Sequence, residues 1–261
     1  MSGRATTVGT GKTNRFLSLV GKCIPNINRR IKSRDNFEKF TSLLLGRSSS
    51  PKVLVIGGRV IGGGMKSLVD HASIELVETD VAFGPRTAVI CDAHSLPFEN
   101  ASFDGVVAQA VLEHVADPYK CVEEIYRVLK KKGLVYAETP FMIPGHFEQY
   151  DFTSFTHLGH RRLLRRFDEI DSGAVCGPGM ALAWSYRSFL TSFTTSKIVR
   201  KFIYTFAAFT SFFFKYFYSF LIDKPGTIDA AAVTYFLGQK SDAVLSDRKL
   251  LKQYRGLARH G

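Results

Sequence analysis

Cysteine is scarce and scattered in this chain: four residues in 261, Cys23, Cys91, Cys121 and Cys176, with no C-x-x-C pair and no histidine at zinc-finger spacing. That spacing argues against a structural zinc site, and isolated thiols suit a reducing compartment. A continuous apolar run near the N-terminus is also missing. Arg4, Lys12, Arg15 and Lys22 interrupt it, which removes the apolar core of a secretory signal and predicts a cytoplasmic protein, peripheral at most at the inner face of the membrane. Positive charge is missing from the middle of the chain. The net +12 divides into +8 over residues 1–50, −3 over 51–196 and +7 over 197–261. An enzyme of nucleic acids places basic surface on its catalytic domain to neutralise phosphates, so nucleic acid is not the expected partner. The basic flanks suit either plain solvation or an anionic membrane surface contacted through 197–224.

Two familiar phosphate-binding patterns are absent as well. "GTGKT" at 9–13 resembles the end of a P-loop, but Thr6 stands where the leading glycine belongs and no strand precedes it. "VLVIGGRVIGGGM" at 53–65 runs from an apolar stretch into glycines. Started at Gly57 or Gly58, it fails the dinucleotide pattern G-x-G-x-x-G because Arg59 or Val60 takes the second glycine's place. What remains is a looser glycine turn suited to a ligand without a pyrophosphate.

What is present is alternation. Residues 35–46 read as a short amphipathic helix, with Asp35 as cap and Gly46 as stop, followed by a "RSSSP" linker. Strands are expected at 52–56, 73–80, 87–92, 102–109, 134–140, 169–175 and 230–240, with helices between them. The clearest helix starts at Asp117–Pro118, buries Val122, Ile125, Tyr126 and Leu129, and ends through Lys130–Lys132 at Gly133; another is read at 161–167. The fold class is therefore α/β: a Rossmann-like, doubly wound, mostly parallel sheet of about seven strands, with ligands at the strands' carboxyl ends. The domains are a basic N-terminal extension (1–50, partly disordered and then helical), the main domain (51–240) and a basic C-terminal tail (241–261). A hydrophobic helical insertion (180–224) precedes the last strand. Its core, 202–222, has eight phenylalanines, three tyrosines and one charge, Lys215. It is long enough to span a bilayer, but a crossing would strand the last strand on the far side. An inserted helix, paired with 180–196, either lies in a membrane interface or covers a pocket or dimer face.

Asp80 and Asp92 end the second and third strands, where carboxylates can accept ribose hydroxyls and an adenine amino group. Together with "CDAHSLPFENASFDGVVAQAVLEHVADPYKCVEEIYRVLKKKGLVYAETPF", the stretch resembles the class I S-adenosylmethionine-dependent methyltransferases of the small-molecule type over about residues 51–175. The resemblance implies S-adenosylmethionine as cofactor. Gly57, Gly58, Gly62 and Gly63 would pass its methionine and ribose part and Asp80 its ribose hydroxyls. Asp92, His94 and Leu96 would surround adenine, with Gln109, Glu113 and His114 by the methionine and sulfonium end. Val55 stands where the family commonly has an acid in the first strand. The acceptor wall is expected along 140–160, with His146 as first candidate base and Tyr150, Asp151 and His157 behind it. No metal site is expected, since the histidines lack ligand spacing. The expected function is methyl transfer to a small, lipid-linked or saccharide acceptor; the alternative is a catalytically weak relative serving as a binding or scaffold protein at the membrane.

Overall fold

Apolar residues on consecutive positions of a strand face opposite sides of a sheet, so runs such as "VLVI" demand cover on both faces. The computed structural model describes residues 25–144 and 150–257; the glycine-containing segment 9–13, Cys23 and His146 lie outside these. The strands are β1 (Lys52–Ile56), β2 (Glu75–Asp80), β3 (Val89–Ile90), β4 (Phe103–Gln109), β5 (Leu129–Pro140), β6 (Phe167–Cys176) and β7 (Val233–Lys240). They form one sheet in the order β3-β2-β1-β4-β5-β7-β6. β1 to β5 pair in parallel and β7 runs antiparallel to both β5 and β6. The mostly parallel, seven-stranded architecture expected from the alternation is thus the one observed.

Each face has its own core. On one side Val53, Val55, Val107 and Tyr136 meet Phe37, Phe40 and Leu44 of α1 (Ile31–Leu45). On the other, Leu54, Val106 and Val135 meet Val122 and Ile125 of α3 (Pro118–Val128). α2 (Lys66–Val69) lies between β1 and β2. α1 is longer than the sequence suggests: Asp35 is internal, and the first turn is fixed by tertiary contacts of Ser33 rather than by a capping side chain. It is also an integral layer of the domain, since its own Phe37, Phe40 and Leu44 are among the most deeply buried side chains on that face.

α3 begins as read, with Asp117 accepting from Lys120 N–H at 3.0 Å and Pro118 in the first turn. Its end is a correction. The helix stops at Val128; Leu129 is already extended and pairs with Phe103, and Lys130 bonds Asp104 at 2.8 Å instead of completing a helical turn. Residues 157–163, rather than 161–167, form α4 (His157–Leu163), capped by Thr156, because Phe167 is drawn into β6 opposite Lys240.

The insertion is a helical hairpin of α5 (Pro178–Thr191) and α6 (Lys197–Ser211), continued by a tight 3₁₀ stretch (Phe212–Phe217), α7 (Tyr218–Leu221) and α8 (Pro225–Asp229). The break at Phe212 ends the expected single helix over 202–222. There the Phe214 carbonyl comes so close to Gly179 that a Cβ on Gly179 would lie 2.3 Å from it. Among the described residues no helix is long and apolar enough to cross a membrane. The C-terminal segment folds back onto the domain: α9 (Asp247–Lys252) meets Arg162 through Asp247, and Arg255 reaches Glu169 and Ser172 of β6.

Candidate functional site

The parallel strands put Ile56, Asp80, Gln109 and Pro140 at one edge of the sheet. Leaving β1, the chain turns at Gly57, whose φ of +73° is one that L side chains avoid; a Cβ there would also lie 2.5 Å from Val111. Gly58 passes so close to β2 that a Cβ would meet Glu78 at 2.9 Å, and its N–H donates to the Thr79 carbonyl at 2.8 Å. Arg59, Val60 and Ile61 bulge outward into solvent. The Arg59 stem packs against Gly84 of the loop after β2, so the "RVI" interruption links two loops.

The second half of the glycine loop turns inward. A Cβ on Gly62 would strike the Gln109 side chain, and Gly63 faces the Arg30 side chain. Gln109 Nε2 donates to the Gly63 carbonyl and to Glu138 Oε2, both at 2.9 Å. Ser33 Oγ lies 2.8 Å from the same carbonyl and 2.7 Å from Glu138 Oε1, which also accepts from Tyr136. Glu138 is 1% exposed. It lies on the same face of the sheet as Val55, two strands away and beside its register partner Gln109. Glu138 is thus a buried acid on β5 joined to the glycine loop through Gln109 and Ser33. The sequence reading overlooked Glu138 and Ser33. The signal was a lone acid in the otherwise apolar strand "LVYAETP".

Asp80 closes β2, and its Oδ1 accepts from Ala82 N–H at 3.0 Å. Asp92 lies just past β3 with its side chain 63% exposed. Its Oδ1 accepts from His94 N–H at 2.9 Å and lies 2.6 Å from His94 Nδ1; these bonds hold its carboxyl below the usual range. His94 Nε2 accepts from Asp117 N–H at 3.1 Å, so Nδ1 carries the proton and donates to Asp92. His94 thus fastens the Asp92 loop to the start of α3. Leu96 is buried, and its N–H and carbonyl are held by Glu124 and Arg127 of α3. Arg127 also bonds the Phe98 carbonyl and Asn100. Much of the run "LPFEN…E..R" is accordingly a clamp that shapes the loop carrying Asp92.

Past β4, Ala110 adopts φ +54° and donates to the Glu138 carbonyl, and the chain turns through Glu113 and His114. Glu113 is fully buried, and neither carboxylate oxygen has a hydrogen-bond partner among the described residues. Burial first, then the neighbouring acids Asp151 and Glu138, push its carboxyl up to about 8. Its main-chain carbonyl accepts from Phe152 and Thr153 N–H groups, pinning the segment after β5 to this turn. That contact brings Tyr150 and Asp151 to His114, whose Nδ1 lies 3.2 Å from the Tyr150 carbonyl and 3.1 Å from Asp151 Oδ1. Both are acceptors, so Nδ1 is a donor, and Nε2 lies 3.7 Å from Glu113 Oε1.

His157 is not brought to this cluster. It is buried between α4 and β6, 3.1 Å from Ser172 Oγ, and burial holds its pKa below the ordinary value. His160 is buried against Phe155 and Thr234, with its pKa pushed down to about 3. Both belong to the core, a correction to the reading of His157 as an acceptor-wall base.

Residues 65–137 match the protein family described as "Methyltransferase domain", a match that begins immediately after the glycine loop. Cycloartenol-C-24-methyltransferase 1 of Oryza sativa subsp. japonica is 32% identical over 152 residues, covering 52% of this chain and 41% of that protein. The ubiquinone/menaquinone biosynthesis C-methyltransferase UbiE of Rhizobium etli is 33% identical over 115 residues, covering 43% of this chain and 41% of that protein. The chain therefore spans well under half the length of these two curated relatives. A structure from Galdieria sulphuraria, assigned as a sarcosine dimethylglycine methyltransferase, superposes with a TM-score of 0.53 at 15% identity, covering 89% of this chain and 99% of that one. At that identity the likeness concerns the fold.

Proposed function

We propose that the chain is a class I S-adenosylmethionine-dependent methyltransferase that methylates a small, lipid-linked acceptor at the carboxyl edge of its sheet. The observation that carries the reading is Glu113: a fully buried carboxyl without a hydrogen-bond partner among the described residues, beside the His114–Asp151 pair. A buried acid that lacks a hydrogen-bond partner among the described residues is costly, and a cationic ligand would offset that cost.

The residues suit the cofactor in kind. Gly57 and Gly58 let the backbone turn where no side chain fits, Asp80 offers a carboxylate to ribose hydroxyls, and Asp92 offers one to an adenine amino group. Glu113 would face the cationic methionine end. When bound, S-adenosylmethionine supplies an electrophilic sulfonium methyl group. The rest is positioning and proton handling by this chain. We assign His114 the role of taking a proton from an acceptor hydroxyl or amine, with Asp151 Oδ1, 3.1 Å from Nδ1, orienting the ring. Met142, Tyr150 and Phe152 are exposed nearby, an apolar wall that favours a lipid-linked acceptor over a saccharide. The two curated relatives are named for apolar molecules too, cycloartenol and ubiquinone/menaquinone.

The test is transfer of a radiolabelled methyl group from S-adenosylmethionine into fractionated lipid and aqueous extracts by the full chain. Label in a small organic-soluble product, lost in Asp80→Ala and lowered in His114→Ala, is expected. Cofactor binding without transfer into any fraction would overturn the enzyme reading and leave a binding or scaffold protein.

A further inference from the structure

The hairpin after β6 takes no part in the chemistry above, and its surface is built the wrong way round for a helix in water. On α6 the small residues Ala207, Ala208 and Ser211 are buried. Ile198, Phe202, Phe206 and Phe209 recur at helical spacing on the opposite face, with Phe202 73% and Phe206 58% exposed. Exposed phenylalanines continue beyond it at Phe213, Phe217 and Phe220, and precede it at Phe189 and Phe193. Contiguous apolar surface of this kind marks an interaction site.

Charge says which kind. From Gly177 to Ile222 the chain has five basic residues and no acid. Lys197 and Lys201 immediately precede Ile198 and Phe202 and so flank the stripe. We propose that this hairpin docks on the surface of an anionic lipid bilayer, with the phenylalanine stripe at the level of the lipid headgroups and acyl boundary and Lys197, Arg200 and Lys201 on lipid phosphates. A second copy is disfavoured by the same count, since face-to-face pairing would bring two acid-free basic surfaces together. No helix among the described residues is long and apolar enough to cross a bilayer, so the hairpin lies on the surface.

The placement has a consequence for the site. α5 starts at the carboxyl edge, directly after Cys176. The far end of the insertion is tied to the start of α1: Tyr218 Oη accepts from Lys32 N–H at 2.8 Å, and Lys215 Nζ donates to the Asn26 carbonyl. The adjoining Ser33 braces the glycine loop. Docking therefore brings the catalytic edge of the sheet alongside the lipid. The proposal does not depend on methyl transfer, because the experiment below uses neither cofactor nor acceptor.

The full chain is floated through a density gradient with vesicles of phosphatidylglycerol and phosphatidylcholine in equal parts, and with phosphatidylcholine alone. Two variants run beside it, Phe202→Ser/Phe206→Ser/Phe209→Ser and Lys197→Glu/Lys201→Glu. Circular dichroism melts establish that each is folded, and the second changes only exposed charges, so it retains the fold in any case. Expected are flotation of the parent with anionic vesicles, weakening with salt, and a loss of about tenfold or more in partitioning for each variant. Failure of the parent to float at low salt, or flotation of both variants at the parent's level, would overturn the proposal. So would light scattering that shows a dimer which the triple variant splits while vesicle binding stays unchanged; the face would then be a contact between copies.

Discussion

Replacing Glu113 by glutamine is expected to stabilise the ligand-free protein progressively as pH rises. In the folded chain burial lifts this carboxyl from the ordinary 4.5 to about 8. Between those values the folded state holds a proton that the unfolded state has released. Folding then takes up a proton, and stability falls with rising pH by about 1.4 kcal/mol per unit. From pH 6 to pH 8 the loss comes to about 2 kcal/mol, because the slope tapers as pH approaches the folded pKa. Glutamine cannot ionise, and the cost of burying its amide is the same at both pH values. Urea denaturation of parent and Glu113→Gln at the two pH values isolates the carboxyl: the variant's stability relative to the parent should rise by about 2 kcal/mol, or about 4–8 °C in Tm for a domain of this size. An unchanged difference between the two pH values would refute the claim that burial holds the Glu113 carboxyl protonated.

Glu138→Ala removes the acceptor for Ser33, Gln109 and Tyr136 and leaves their donors buried. Thermal unfolding should register a loss of about 2–4 kcal/mol, and calorimetry a weaker hold on the cofactor because the glycine loop loses its brace. Asp92→Ala should weaken S-adenosylmethionine binding by about 1–3 kcal/mol, measured by calorimetry, with little effect on Tm because the side chain is exposed. His160 acts in the opposite pH range. Its pKa is pushed from 6.5 down to about 3 in the folded chain, so acidification charges the unfolded state first, and stability should fall by about 1.4 kcal/mol per unit as pH drops from about 6.5 toward 3. A His160→Phe variant should lack that slope in acid denaturation.

The fold was legible because its signals are local and repeated. "KVLVI", "FDGVVAQ" and "LVYAETP" are apolar runs of strand length, and Asp117–Pro118 is a helix start that needs no tertiary help. Boundaries failed where a distant partner decided them, as with Lys130 turning to Asp104 and Ser33 anchoring α1. The carboxylates Asp80 and Asp92 could be placed at strand ends because a parallel sheet brings all such ends to one edge. The status of the histidines could not, because it depends on which way a helix rolls: His157 and His160 face the sheet on α4, whereas His114 is drawn to Asp151 by main-chain bonds from Phe152 and Thr153 to the Glu113 carbonyl. Val55 looked like a missing acid. That Glu138 is joined to the glycine loop through Gln109 is visible only once β4 and β5 are laid in register.

In the proposed function the carboxyl edge receives a cationic cofactor against Glu113. Isothermal titration of the full chain with S-adenosylmethionine at pH 6.5, repeated in buffers of different ionisation enthalpy, tests it most directly. One-to-one saturation with release of nearly one proton per complex is predicted, as the cofactor's charge ionises a carboxyl that is protonated without it. Absence of saturable binding at millimolar cofactor, or binding that releases no proton, would contradict it.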